Sequence, residues 1–115
     1  MVKEEPLTPL PLERLFTTKA VAKVLGFLSL YREYDYSKTE ISHEAGADWK
    51  NMLTRVWPIL EKYQLVKHTR TVGRAQLYKA NVENPIMQAL IKLQVEIATY
   101  DNQPLMKTEL PAKSA

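Results

Sequence analysis

The chain has 115 residues, a length for one domain, and its 45% hydrophobic and 25% charged residues are the balance of a globular protein rather than a disordered one. It has no cysteine, which excludes disulfides, thiolate metal sites and cysteine nucleophiles, and its two histidines, His43 and His68, are spaced too far apart for a helical metal pair. The net charge is only +3, no apolar run approaches the ~20 residues that span a bilayer, and Met1-Val-Lys-Glu-Glu-Pro lacks the basic-then-apolar layout of a signal peptide. The expectation is a cytoplasmic protein with no membrane segment.

Pro6, Pro9 and Pro11 disfavour both helix and strand pairing, so residues 1–14 are expected as an extended arm. Pro104 and Pro111 with little apolar content mark residues 103–115 as a tail. The ordered body is then 15–102.

A first helix is expected from Thr17 or Thr18, with Val21, Val24, Leu25 and Leu28 on one face at helical spacing. Tyr34-Asp-Tyr-Ser interrupts it, its tyrosines packing over the edge of the core. Ser37-x-x-Glu40 is a capping box that announces a short second helix, with Ile41 and Ala45 inward and Gly46 as the left-handed residue that ends it. Asp48 then caps a third helix from Trp49 to about Tyr63, with Leu53, Val56, Trp57 and Leu60 as its buried stripe. Pro58 inside this helix removes a donor and predicts a kink that leaves the Thr54 carbonyl without its usual partner. Two helices joined by a tight Gly-containing turn carry the signature of a helix-turn-helix.

Residues 65–70 and 76–81 have strand character, and Val72-Gly-Arg-Ala between them is a turn, predicting a hairpin with Arg70 and Arg74 at its tip. Asn84 as cap and Pro85 at the first position begin a last helix that runs to about Tyr100.

Charge follows this organisation. Residues 37–79 hold eight basic and four acidic side chains, whereas residues 1–36 balance to zero and residues 80–115 to −1. Lys67, Arg70, Arg74 and Lys79 follow one another with no acid among them. Basic residues gathered on one structural unit favour a polyanionic partner.

The order of elements is that of a winged helix-turn-helix, and the residues carry the likeness further. Leu15-Phe-Thr-Thr-Lys-Ala-Val-Ala-Lys-Val-Leu resembles the opening helix of small archaeal winged helix-turn-helix transcription regulators. Ser37-Lys-Thr-Glu-Ile-Ser through Val56-Trp-Pro-Ile-Leu-Glu-Lys-Tyr-Gln-Leu-Val is similar to their helix-turn-helix, and Gly73-Arg-Ala-Gln-Leu-Tyr-Lys to their wing and returning strand. Asn84-Pro-Ile-Met-Gln-Ala-Leu resembles the start of their final helix, so the likeness covers about residues 15–98. It departs at Gln64, where many such domains place Gly at the end of the third helix; Gln64 needs a left-handed backbone or a different exit. The resemblance implies a mainly α fold with a small β-hairpin, a winged helix-turn-helix plus a C-terminal dimerisation helix, and a function in binding double-stranded DNA.

In such an architecture the N-terminal half of the third helix enters the major groove. Lys50, Asn51, Thr54 and Arg55 are of the types that read base edges, and a solvated polar face is the plainer alternative. Ser37 and Lys38 stand at a helix N-terminus that favours a phosphate, although capping alone explains Ser37. Trp49 either packs on a sugar–phosphate strand or shields the turn. Arg70 and Arg74 reach a minor groove or its phosphates from the wing. His43 and His68 are expected as surface polar residues.

Ile86, Leu90, Leu93, Ile97 and Tyr100 recur at spacings of 4, 3, 4 and 3, the pattern of a helix–helix seam, and Met87, Ile91, Val95 and Ala98 add apolar surface. A helix apolar over so much of its circumference needs a second cover, which predicts a homodimer presenting two third helices one DNA turn apart; packing of both faces within the monomer is the plainer alternative. No phosphate loop, nucleophile–base pair or acid pair competes, so no enzyme, cofactor or metal is expected. The expected function is sequence-specific DNA binding in transcriptional regulation. The alternatives are a partition-type or architectural coat on DNA, or a winged-helix module for protein–protein contact.

Overall fold

The structure, a computed structural model, describes residues 9–101; residues 1–8 of the expected arm and the expected tail, 103–115, lie outside the described residues. The fold is mainly helical with a small three-stranded antiparallel sheet. The arm does not stay extended up to residue 14: Pro11–Leu15 forms a short helix, α1. Pro11 sits in its first turn, where a missing N–H costs nothing, and Glu13 Oε1 accepts from the Leu10 N–H at 2.7 Å. Leu15 at its end is buried and joins the core.

Helix α2 (Lys19–Leu30) has Thr18 at its N-cap, but the Thr18 hydroxyl makes no capping bond. Val21, Val24, Leu25 and Leu28 are buried as their spacing requires, each full burial contributing roughly 1.5–3 kcal/mol. After α2, Tyr36–Ser37 forms a strand, β1, that the sequence reading did not include. Tyr36 packs its ring 5.0 Å from that of Phe27, over the edge of the core, whereas Tyr34 is exposed.

Helix α3 (Lys38–Ala45) begins with the capping box as read: the Glu40 N–H donates to Ser37 Oγ at 3.1 Å and the Ser37 N–H to Glu40 Oε1 at 2.8 Å. It ends at Gly46, whose φ of 73° is left-handed. The buried Ser42 hydroxyl donates to the Ala47 carbonyl at 2.7 Å and closes the turn. Asp48 then caps the next helical stretch, accepting from the Asn51 N–H at 3.0 Å.

That stretch is not one regular helix. It comprises α4 (Trp49–Asn51), a π-helical turn (Met52–Val56) and α5 (Trp57–Lys62). Pro58 is the cause: with no N–H it cannot close an α-helical bond to Thr54, and the turn before it widens by one residue. The Trp57 N–H donates to the Met52 carbonyl, five residues back. Met52 therefore takes the place expected of Leu53. Met52, Val56, Trp57 and Leu60 are buried, and Leu53 is 40% exposed.

The chain leaves α5 through Gln64 with a left-handed φ of 56°, so the strained exit is the one adopted. Side-chain amides compensate. Asn81 Nδ2 donates to the Gln64 carbonyl at 2.9 Å, and Asn84 Nδ2 to the Tyr63 and Gln64 carbonyls at 2.9 and 3.1 Å. Strands β2 (Val66–Val72) and β3 (Ala75–Ala80) follow, longer towards the tip than the sequence reading had them. Their two-residue loop is Gly73-Arg74, with Gly73 at φ 61° in the position that favours glycine. Strand β3 is central, paired with β2 on one side and with β1 on the other, and a bulge at Thr69 interrupts the β2 register. In the last helix, α6 (Pro85–Asp101), Asn84 Oδ1 accepts from the Ile86 and Met87 N–H groups at 2.7 and 3.3 Å.

Candidate nucleic-acid interface

The capping residues set the orientation of α3 and of stretch 49–62, and the short β1 ties the start of α3 to the hairpin through Tyr36–Tyr78 and Ser37–Leu77 pairing. A hollow of about 390 Å³ results between the N-terminus of α3 and the hairpin, lined by Ser37, Lys38, Thr39, Arg74, Gln76 and Tyr78 with Ala75. Two of those residues are cationic and none is acidic.

Lys38 is braced rather than free. Its ammonium lies 4.8 Å from the centroid of the Trp57 ring and 5.9 Å from that of Tyr78, within cation–π range of both. The rings meet edge to face at 4.8 Å, and Trp57 Nε1 donates to Glu61 Oε2 at 3.0 Å. Buried Trp57 thus supports the base of the hollow. His68 is exposed and stands 5.6 Å from the Tyr78 ring, while His43 is an exposed residue of α3.

The two hairpin arginines separate. Arg74 is exposed at the tip and borders the hollow. Arg70 is not at the tip: it lies within β2, and its guanidinium donates from Nε and Nη2 to the Asp35 carboxylate at 3.0 and 3.2 Å. The Thr69 hydroxyl donates to the same carboxylate at 2.6 Å. These bonds, Arg70 first, hold the pKa of the Asp35 carboxyl at about 2, below its ordinary 3.8, and the Asp35 carboxylate in turn raises the pKa of the Arg70 guanidinium. Of the two arginines expected to contact phosphate, Arg70 is engaged in a bidentate ion pair with its side chain still 64% exposed, and Arg74 has no ion-pair partner among the described residues. Asp35 was not singled out, because a carboxylate 35 residues away in sequence gives no local sign of pairing.

On stretch 49–62, Lys50, Thr54 and Arg55 are exposed and Asn51 is half-buried. The Thr54 hydroxyl donates to the Lys50 carbonyl at 2.7 Å, so its proton is committed to the helix backbone and its oxygen can still accept. Trp49, at the start of the stretch, is 44% exposed. Leu53 joins this outer face, a residue the sequence reading assigned to the core. The signal that could have found it was Pro58, whose missing N–H widens the turn before it.

Helix α6 divides its apolar residues. Met87 is buried and Leu90 and Ile91 pack against the core. Gln94 Nε2 donates to the Gly26 carbonyl at 3.2 Å and the Ser29 hydroxyl at 2.8 Å, at a crossing so close that a Cβ on Gly26 would stand 2.9 Å from Gln94 Oε1. On the outer side Ile86, Leu93, Ile97 and Tyr100 are exposed, Leu93 by 48% and Tyr100 by 87%. Leu93 and Ile97 also border an apolar groove of about 170 Å³ between α2 and α6.

Among the described residues, no helix is long and apolar enough to cross a membrane, and no three His, Asp or Glu side chains are grouped to hold a metal ion. Neither a protein-family model nor a curated protein matches this chain.

Proposed function

We propose that the chain is a winged helix-turn-helix domain that binds double-stranded DNA as a homodimer and serves as a transcription regulator. Helices α3 and 49–62 are then the helix-turn-helix, the second of them the groove-entering helix, and the β2–β3 hairpin is the wing. The observation that carries this reading is the hollow, with no acid among its described lining residues, that is bordered by Lys38, at the start of α3, and Arg74, at the hairpin tip. A phosphate strand fits there, with the free N–H groups at the α3 terminus adding favourable dipole. Lys50, Asn51, Thr54 and Arg55 supply base-edge donors and acceptors on the adjoining helix. The outer α6 face, Ile86, Leu93, Ile97 and Tyr100, supplies the apolar seam for the two-fold partner.

Selection of bound duplexes from a random DNA pool tests the reading. The expected result is an inverted repeat with half-sites about one turn, roughly 10 bp, apart. Binding without enrichment would point to a coating protein, and no binding would refute the proposal. Arg74→Ala should weaken binding to every sequence alike and reduce the slope of log affinity against log salt by about 1. An unchanged slope would remove Arg74 from the interface.

A further inference from the structure

The π-helical turn before Pro58 has a consequence on the outer face of stretch 49–62. In an unbroken α-helix Leu53 would share a face with Val56, Trp57 and Leu60, three, four and seven residues on. The widened turn stacks Met52 into that position, with the Trp57 N–H bonded to the Met52 carbonyl, and turns Leu53 outward. Leu53 lies four residues after Trp49, so the two form one exposed apolar row, 40% and 44% open to solvent. Lys50 and Thr54 form the next row, tied by the Thr54 hydroxyl on the Lys50 carbonyl.

An apolar pair on a solvated face needs a reason. Two large exposed side chains invite a partner, and the surrounding charge states what kind. Residues 49–60 contain no acid, Lys50 and Arg55 stand on the same helix, and Lys38 and Arg74 border the neighbouring hollow. A partner for this face is polyanionic with an apolar feature at its centre. Duplex DNA offers one such feature in the major groove, the 5-methyl group of thymine.

We infer that Trp49 and Leu53 form a thymine-methyl reading ledge, so that this protein prefers A·T pairs at the positions facing that row. The inference rests on the DNA-binding reading above and adds its base preference. Polar side chains on the same helix do not supply this preference, because a hydrogen bond reads uracil and thymine alike. Only the methyl distinguishes them.

The test is a competition on the full chain between random-sequence duplexes prepared with thymine and the same duplexes prepared with uracil in its place. Burying a methyl group favours the thymine duplex by about fourfold for each one contacted. The parent protein is expected to enrich the thymine duplex by that factor or its square. Leu53→Ala, at an exposed position with circular dichroism as the check on folding, is expected to bring the ratio towards one while the salt slope stays unchanged. Trp49→Ala/Leu53→Ala should abolish the preference altogether. Equal binding of both duplexes by the parent overturns the inference, leaves DNA binding standing and returns the apolar pair to a protein partner. A preference that survives in the double variant also overturns it. If neither duplex is bound, the DNA-binding reading fails as well.

Discussion

Asp35 accepts both hydrogen bonds of the Arg70 guanidinium, at 3.0 and 3.2 Å, and so joins the segment that leads into α3 to the bulged strand of the hairpin. The bulge at Thr69 breaks the β2 register, and the Thr69 hydroxyl donates to the same carboxylate at 2.6 Å. The angle between the hairpin and α3 is thus held by a side-chain clamp as well as by the two residues of β1.

The clamp has a pH signature. The folded Asp35 carboxyl titrates at about 2 against an ordinary 3.8, so the folded state binds fewer protons than the unfolded state between those values. Its stabilisation is complete above 3.8 and is lost as pH falls through about 2. Thermal melts of the parent and Asp35→Asn across the acid range should differ by a constant amount above about pH 5 and converge towards pH 2. A gap that persists at the lowest pH would show that the ion pair is not its source. Arg70→Ala should reproduce the Asp35→Asn melts, and the double variant should add little to either single change.

The π-turn makes opposite forecasts for adjacent residues. Met52 is fully buried, so Met52→Ala should destabilise by about 2–5 kcal/mol, the usual cost of emptying a core site. Leu53→Ala should cost less, about 1 kcal/mol, because its side chain is already 40% exposed and leaves no enclosed cavity. Denaturant midpoints measure both. A regular helix through Pro58 would reverse the order.

Asn84 works in two directions, its amide nitrogen on the carbonyls that end α5 and its oxygen on the N–H groups that begin α6. Asn84→Ala removes an N-cap worth about 1 kcal/mol and also strips the Tyr63 and Gln64 carbonyls of a donor, for a total loss of roughly 2–3 kcal/mol. Gln64→Gly should act the other way, stabilising by about 1 kcal/mol through relief of a positive φ that costs an L-residue roughly 1–2 kcal/mol. Urea unfolding of the two variants tests the pair, and destabilisation by Gln64→Gly would overturn the account of this exit.

The outer face of α6 sets the last expectation. Sedimentation of the parent should give twice the 13.3 kDa chain mass. Leu93→Glu, on the exposed side, should yield folded monomers, because the charge is harmless once solvated. Ile91→Glu should unfold the chain instead, because Ile91 packs on the core. A parent that sediments as a monomer at micromolar concentration would end the dimer proposal.

Local chemistry was legible in the sequence, and so were buried stripes set by helical spacing, such as Val21, Val24, Leu25 and Leu28; contacts between distant segments were not. The capping box at Ser37 and Glu40, Gly46, the Asp48 cap and the Asn84–Pro85 start all stand where they were read, since each depends on residues three or four positions away. The hairpin strands were legible in outline, their ends off by one or two residues. Four features were decided only in three dimensions. Pro11 opened a short helix because Leu15 had a core to enter. Pro58 widened the turn before it, which set Met52 rather than Leu53 into the core, where that turn packs against α2. Arg70 was paired with Asp35, an ion pair between distant segments that no periodicity encodes. The apolar residues of α6 were divided into an inner and an outer set by the crossing at Gly26, where Gln94 reaches the α2 backbone. Sequence spacing specifies which residues share a face of an element, because that follows from the backbone period. Which face is covered depends on the shape and charge of the elements packed against it, and those meet only when the chain has folded.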